Sequence, residues 1–340
     1  MSRYYDADGH VIEQEGDIAE FLEAPFAGAH LNPRMLPSLD KFHTPNQAFL
    51  KAAEGAFKPA DANRWLEFLD KTDIGWSVLY PTDGLAYGNV VYPEWAVAYA
   101  RAYNNWLYEK FLTVSPRLKG CALIPMADVP SAVVELRRAV KELGFVVAMI
   151  PSNGLPTHVS DKRYWPIYEE AEKLGCALAV HGGNYHDLGF NTFTVFPATR
   201  TLGMPFPLAI ALTGMMVDGL LDAFPKLRIG FLEGGTAWVP LVIDRLRRER
   251  EYGGLDLAKD PEEYFREGRL FVGCEGNEQS LSYAIQRIGY ESVVFASDFP
   301  HEITMENCME EIDEILERND LAEEHKLAIL GENARRFYNC

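Results

Sequence analysis

The chain has 340 residues, of which 48% are hydrophobic and 12% aromatic, a composition typical of a globular protein with a large core. Its 50 Asp and Glu against 32 Lys and Arg give a formal net charge of -18, which argues against binding to nucleic acid or to an anionic membrane surface. We see no apolar run long enough to span a membrane and no signal-peptide pattern, so we expect a cytoplasmic protein. The five cysteines are scattered without a Cys-x-x-Cys pair, which indicates neither a disulfide framework nor a structural zinc site.

Eight short runs of apolar, β-branched or aromatic residues predict eight buried strands. They lie at 5–10, 76–80, 118–125, 145–150, 177–181, 227–232, 270–274 and 292–297. Helical patterns fill most of the intervals, and three of them end at Gly144, Gly175 and Gly289, glycine being a common residue at helix C-termini. Eight strand-and-helix units without a linker predict one (β/α)8 TIM barrel rather than a doubly wound sheet, which usually has five or six strands.

Two further segments complete the predicted architecture. Residues 11–72 are too many for an ordinary loop after the first strand, so we predict an insertion that folds over the barrel mouth as a lid. The last helical pattern, 321–339, is predicted to close the barrel from outside. The whole chain, 1–340, is thus expected to form a single domain.

Polar residues follow the predicted strands at the end where barrel enzymes carry their chemistry. The first strand ends in Asp8-Gly9-His10, and residues two apart in a strand share a face, so Asp8 and His10 are expected to point together into the mouth. Asp6 would share that face one layer deeper. The other candidates, from the fifth, sixth and eighth strands, are His181, Glu233, Asp298 and, slightly beyond, His301.

Imidazole and carboxylate side chains together are ligands suited to zinc, manganese or ferrous iron, and a mixed site of this kind is typical of catalysis. A metal held by Asp8, His10, His181 and Asp298 would lower the pKa of a bound water and make it a nucleophile at neutral pH. Glu233, which is not among these metal ligands, could then orient that water or carry a proton.

Each candidate also has a purely structural interpretation. An isolated Asp-x-His can bond backbone amides, a His after an apolar run is often a satisfied core residue, and Asp298 before Phe-Pro can be a turn or cap residue. The structural interpretation is weakened because Asp8, His10, His181 and Asp298 all fall at the ends of strands that the apolar runs predict independently. Cys274 has no base partner and is assigned to the core. Trp238, His186 and His301 are candidate pocket residues, and Arg34, Lys41 and His43 are candidate anion-binding groups in the lid.

These motifs resemble the amidohydrolase-related family of metal-dependent hydrolases, in the branch that also holds aminocarboxymuconate semialdehyde decarboxylase and resorcylate decarboxylase. The resemblance runs over nearly the whole chain and rests on "DADGH", "NNWLYEKFLTVSPRLKGCALIPMADVPSAVVELRRAV", "HGG", "FPKLRIGFLEGGTAWVP" and "VVFASDFPH". It implies a distorted (β/α)8 barrel with one divalent metal held by Asp8, His10, His181 and Asp298. It also suggests a homo-oligomer, for which the residues themselves offer no sign.

The chain departs from the family pattern in two places. The fourth strand, in "GFVVAMIPSNG", lacks the lysine that bridges two metals in binuclear relatives, which favours a single ion. Glu233 stands where many relatives carry a histidine, which puts in doubt any mechanism that needs an imidazole there. Asp8 replaces the first histidine of the usual His-x-His, and its negative charge favours a harder, more oxygen-tolerant metal.

The resulting prediction is a hydrolase in which metal-activated water attacks a carbonyl-type carbon of a small carboxylated or cyclic substrate, with Asp298 and Glu233 as catalytic residues. Zinc or manganese is the expected metal, and iron is an alternative. Non-oxidative decarboxylation is the alternative reaction, because it would use the same site. Iron-dependent oxygenation and a metal-free binding protein are weaker alternatives. The expected partner is a small-molecule substrate.

Overall fold

The computed structural model describes residues 4–28, 35–39 and 54–340. Its eight parallel strands form one sheet in sequence order, which confirms the predicted (β/α)8 barrel. The strands are β1 Tyr4–Val11, β2 Ile74–Pro81, β3 Leu118–Ala122, β4 Val147–Pro151, β5 Ala177–His181, β6 Ile229–Leu232, β7 Leu270–Cys274 and β8 Val293–Phe295. Most strand residues are buried, as expected for a parallel sheet covered on both faces.

Helices surround the sheet and follow the strands in the expected alternation. They are α1 Glu15–Ala19, α2 Ala62–Lys71, α3 Pro93–Leu107, α4 Val129–Lys141, α5 Trp165–Leu174, α6 Phe196–Gly203, α7 Pro205–Val217, α8 Leu220–Ala223, α9 Trp238–Glu251, α10 Pro261–Arg266, α11 Leu281–Ile288, α12 Met305–Leu316, α13 Glu323–Leu327 and α14 Asn333–Tyr338. Shorter 3₁₀ turns occupy Asp83–Asn89, Lys162–Tyr164, Phe190–Thr192 and Tyr290–Ser292, and π-helical turns occupy Tyr108–Leu112 and Ala328–Glu332. Gly175 takes a left-handed conformation at φ 65° directly after α5, which confirms its predicted role as a helix terminator.

The barrel closes between β1 and the turn that follows β8. The Asp298 amide donates to the Asp8 carbonyl at 2.8 Å, and the His10 amide donates to the Phe299 carbonyl at 2.7 Å. These two bonds join the ends of the first and last strands and bring Asp8, His10 and Asp298 side by side. Closure of the barrel therefore assembles the candidate site.

Asp6 contributes to the same closure and not to the layer beneath the site. The register pairs Asp6 with Ser77 but Gly9 with Leu79, so β1 carries one extra residue between them, and this bulge interrupts the alternation of faces. The Asp6 carboxylate lies on the side of Gly9, and it accepts hydrogen bonds from the Ser77 and Ser297 hydroxyls. The prediction that Asp6 shares a face with Asp8 and His10 is therefore wrong, because strand alternation cannot be counted through a bulge.

We expect Asp6→Ala to lower the free energy of unfolding by about 2–4 kcal/mol, because the buried hydroxyls of Ser77 and Ser297 would lose their acceptor. Urea denaturation followed by circular dichroism would measure the change. Asp70→Ala is the matched control, because its carboxylate is 70% exposed and pairs with Arg117 at the surface, where such pairs contribute less than about 1 kcal/mol. Equal effects of the two substitutions would contradict this role of Asp6.

The C-terminal helices pack against the barrel strands. Tyr338 of α14 donates a hydrogen bond to the Ala7 carbonyl and shares a second one, at 2.8 Å, with Tyr80 of β2. A side chain at Gly230 of β6 would collide with the ring of Phe337. The end of the chain thus packs directly on β1, β2 and β6.

Part of the predicted lid, at 29–34 and 40–53, lies outside the described residues, and so do Arg34, Lys41 and His43. The lid and the single-domain assignment stay predictions. Within the described ranges, one helical stretch, Phe196–Val217, has the length and mean hydropathy, 1.2, of a candidate membrane span. This is weak evidence, because core helices pass the same test.

Candidate metal centre

The side chains of two histidines and one aspartate, from strands β1 and β5, lie close together at the mouth of the barrel. The Nε2 atom of His181, the last residue of β5, lies 3.1 Å from Oδ2 of Asp8. Nε2 of His10 lies 3.5 Å from Oδ1 of Asp8 and 3.3 Å from Oδ1 of Asp298. One ligand atom from each of Asp8, His10 and His181 lies within 4.8 Å of the others, so the three could share one metal ion. The structure therefore brings three of the four predicted ligands into one group, and the fourth, Asp298, adjoins that group through His10.

Backbone carbonyls orient both imidazole rings. Nδ1 of His10 is 3.0 Å from the Pro81 carbonyl, and Nδ1 of His181 is 2.9 Å from the Gly182 carbonyl, so in each ring Nδ1 is the donor. In a neutral ring with this donor, Nε2 keeps its lone pair for a metal ion. Nε2 of His10 is buried and has no hydrogen-bond partner among the described residues. A divalent ion would satisfy that nitrogen, so the donor set fits a metal.

Asp298 and Glu233 are held in unusual backbone conformations at the rim. Asp298 has φ 54° and Glu233 has φ 59°, both in the left-handed region that residues other than glycine seldom adopt. Such strain persists only where the surrounding structure imposes it, and it is concentrated at functional sites. Of the two carboxylates, 21% of Asp298 and 15% of Glu233 is exposed, so both open towards the mouth.

A predicted pocket residue, His301, supports Asp298. Its Nδ1 lies 3.0 Å from Oδ1 of Asp298, and its Nε2 lies 2.8 Å from the Thr82 hydroxyl. The His301 ring is stacked between those of His10, at 4.1 Å, and Phe57, at 5.6 Å. Because both of its nitrogens are engaged, His301 orients Asp298 in this structure. A second group of candidate metal ligands nevertheless contains His10, Asp298 and His301.

Glu233 lies beside the cluster with an uncommitted oxygen. Its Oε2 is 3.4 Å from Nδ1 of His181 but is buried and forms no hydrogen bond with the described residues. Burial, followed by the charge of Asp298, raises the pKa of Glu233 to about 8. Burial and the charge of Asp8 raise the pKa of Asp298 well above its ordinary range. The site thus concentrates carboxyl groups that take up protons more readily than they do in water.

The two histidines of the cluster differ in charge. Burial, followed by the nearby His301 and His181, holds the pKa of His10 well below its ordinary 6.5, so His10 stays neutral. Burial also acts to lower the pKa of His181, but the neighbouring carboxylates of Asp8 and Glu233 outweigh it and raise this pKa to about 9. A neutral imidazole is the form that binds a metal, and His10 is ready to do so.

Two other predicted pocket residues make contacts away from the cluster. Nε2 of His186 lies 2.7 Å from the Ser38 carbonyl, so this side chain reaches the described part of the insertion. Trp238 is buried, donates from Nε1 to the Gly235 carbonyl at 2.8 Å and packs edge-on against Phe231. Their role in substrate binding stays a prediction.

The sequence patterns missed two residues near the centre. Arg200 of α6 forms an ion pair with Glu302, the residue after His301. Phe57, beyond the undescribed part of the insertion, donates from its amide to the Pro300 carbonyl at 2.7 Å. Neither residue stands at a strand end, the one signal that guided the search, so only the folded chain reveals them.

Comparisons with known proteins place these features in a wider context. The sequence model of the amidohydrolase family matches residues 6–340. The 2-amino-3-carboxymuconate-6-semialdehyde decarboxylase of Dictyostelium discoideum is 26% identical over 296 residues, which cover 83% of this chain and 79% of that protein. The γ-resorcylate decarboxylase of Rhodococcus jostii (strain RHA1) is 28% identical over 226 residues, which cover 62% of this chain and 68% of that protein.

A solved structure with the same fold holds a metal. The dihydroxybenzoic acid decarboxylase of Polaromonas sp. JS666, with bound manganese and the inhibitor 2-nitroresorcinol, superposes with a TM-score of 0.71 at 20% identity. The match covers 100% of this chain and 97% of that one. At this identity the likeness establishes the fold.

Proposed function

Because the chain belongs to the amidohydrolase family, as its motifs predicted, we propose that it is a metal-dependent decarboxylase acting on a small carboxylic acid. The observation that carries the proposal is the buried cluster of Asp8, His10 and His181 beside Asp298. The relatives reported above are decarboxylases, which favours this reaction over the hydrolysis that the sequence patterns put first. These relatives do not support iron-dependent oxygenation or a metal-free binding role.

The residues that would hold the metal are Asp8, His10, His181 and Asp298. Two imidazole nitrogens and two carboxylates suit manganese or zinc, and manganese is the ion bound in the related structure. When bound, the ion supplies a Lewis acid that holds a substrate carboxylate and stabilises negative charge on a neighbouring oxygen. With no lysine in β4 to bridge a second ion, one metal is proposed.

The chain's own residues would complete the reaction. In decarboxylation the bond between carbon and carboxylate breaks, carbon dioxide leaves, and the electron pair that remains on the substrate carbon takes up a proton. Oε2 of Glu233, buried and uncommitted beside His181, is the proposed source of that proton. His301 and the Thr82 hydroxyl would keep Asp298 oriented towards the substrate side of the cluster.

Hydrolysis is the second candidate, favoured by the same uncommitted oxygen of Glu233, which could instead accept a proton from water. The substrate would again be a small molecule. We also propose a homo-oligomeric state and a cytoplasmic location.

We expect the manganese-loaded protein to release carbon dioxide from at least one hydroxylated benzoic acid or conjugated dicarboxylic acid. Incubation of a panel of such acids, each labelled with ¹³C in the carboxyl group, would show labelled bicarbonate by NMR together with the product that has lost its carboxyl group. The metal-stripped protein is the control. Release of an alcohol or amine from esters, lactones or amides, without labelled bicarbonate from any acid, would overturn the proposal in favour of hydrolysis.

A further inference from the structure

Arg200 is a half-buried cation beside the candidate metal centre that the sequence patterns did not single out. It lies on α6, which packs against the loop after β5: a side chain at Gly203 would collide with the ring of Tyr185. Nη1 of Arg200 forms an ion pair with Glu302, whose neighbour His301 supports Asp298. The helix of Arg200 thus packs on the loop after β5, while its guanidinium pairs with the loop after β8.

The charge of Arg200 reaches into the site. Burial raises the pKa of Asp298 well above its ordinary range, and Arg200 partly offsets that rise. Arg200 acts in the same direction on Glu275, whose pKa is raised by burial and by the charge of Glu278. Arginine keeps its charge at any physiological pH, so it is a fixed positive charge among these carboxyl groups.

Most of the hydrogen-bonding capacity of Arg200 is uncommitted. A guanidinium carries five N–H donors, and among the described residues its one ion-pair partner is Glu302. About a third of the side chain, 32%, is exposed. Among the described residues neither Asp298 nor Glu233 forms an ion pair with Arg200, so these carboxyl groups do not occupy its remaining donors.

A substrate with two anionic groups needs such a cation. One of its groups could lie at the metal centre, and the other, where water is partly excluded, would need a positive charge of its own. We propose, building on the proposed function, that Arg200 binds a second oxyanion of the substrate, either a carboxylate or an ionised phenol. The substrate is then an acid with two acidic oxygen groups, one at the metal centre and one at Arg200.

The competing explanation is that Arg200 only neutralises Glu302 and holds the loop of His301 in place. The two explanations differ in what they predict for Glu302. If the ion pair is merely structural, removing either partner should impair ligand binding in the same way. If Arg200 binds the ligand, Glu302 is a competitor for its guanidinium, and removing Glu302 should tighten binding.

The test is calorimetric binding of benzoate and of the three benzenedicarboxylates to the manganese-loaded protein. At least one dicarboxylate should bind about tenfold to a hundredfold more tightly than benzoate, the range expected for a charge-assisted hydrogen bond. Arg200→Met should abolish this advantage and Arg200→Lys should keep part of it, while Glu302→Gln should increase it. Arg245→Met is the control, because Arg245 on α9 is 62% exposed and pairs with Glu249.

Parallel losses in Arg200→Met and Glu302→Gln, or an unchanged dicarboxylate advantage in Arg200→Met, would overturn the proposal. So would the absence of any advantage in the unaltered protein. Thermal unfolding of each variant identifies a change that merely disrupts folding, and the charge-retaining lysine variant then decides. Because binding is measured without turnover, an Arg200-dependent advantage would stand even if no acid lost carbon dioxide, in which case only the proposed function fails.

Discussion

Replacement of His181 by alanine should lower the affinity for Mn²⁺ by at least about a hundredfold and leave the barrel folded. His181 is fully buried at the end of β5, with Nδ1 held by the Gly182 carbonyl and Nε2 directed at Asp8. Loss of a ligand that is already oriented removes a bond to the metal that no neighbour can replace, and loss of an orienting group alone costs about 10- to 100-fold. Asp298→Ala should have a similar effect, because its carboxylate is the rim-side member of the proposed ligand set.

The measurement is the manganese content of the dialysed protein together with calorimetric titration, and circular dichroism verifies the fold. His325→Ala is the matched control, because His325 lies on α13 and stacks on Tyr290. Full manganese occupancy in both His181→Ala and Asp298→Ala would show that the ion, if bound at all, lies elsewhere. Loss of manganese in only one of the two variants would remove the other residue from the proposed ligand set.

Glu233→Gln should keep the metal and lose turnover by about 10²- to 10⁴-fold, the contribution typical of a positioned acid or base. The substitution preserves the shape of the side chain but removes the proton that Oε2 is proposed to deliver. Oε2 makes no hydrogen bond to the described residues, so the change should cost little stability. Steady-state rates of carbon dioxide release, measured beside metal content, separate the chemical role from metal binding.

Glu263→Gln, on the exposed surface of α10, is the control for this experiment. Unchanged turnover in Glu233→Gln would remove Glu233 from the mechanism and leave Asp298 as the proton donor to test. Loss of manganese from Glu233→Gln would instead make this residue a ligand, contrary to the arrangement proposed above.

The amino-acid sequence alone determined the type of fold, because each buried parallel strand leaves a local signal. The runs that form β5 and β7 were predicted with their observed ends, and those of β1 and β2 fell inside the observed strands. The same runs placed Asp8, His10 and His181 at the mouth, since the C-terminal ends of parallel strands meet on one side of a barrel. The local pattern was sufficient because each of these three residues lies at the end of a strand that its own apolar run identifies.

Other features depend on contacts between distant parts of the chain, and only the tertiary structure decided them. The bulge in β1 turns Asp6 away from the site. The Asp6 carboxylate there accepts hydrogen bonds from Ser77 of β2 and Ser297 after β8, two residues that are far from Asp6 in sequence. The left-handed backbone of Glu233 and Asp298 likewise has no signal in residue type. Arg200 reaches Glu302, next to His301, because its helix α6 packs on Tyr185 in the loop after β5. Strand ends can be identified one at a time, whereas a side chain carried in by a neighbouring helix requires the packed barrel.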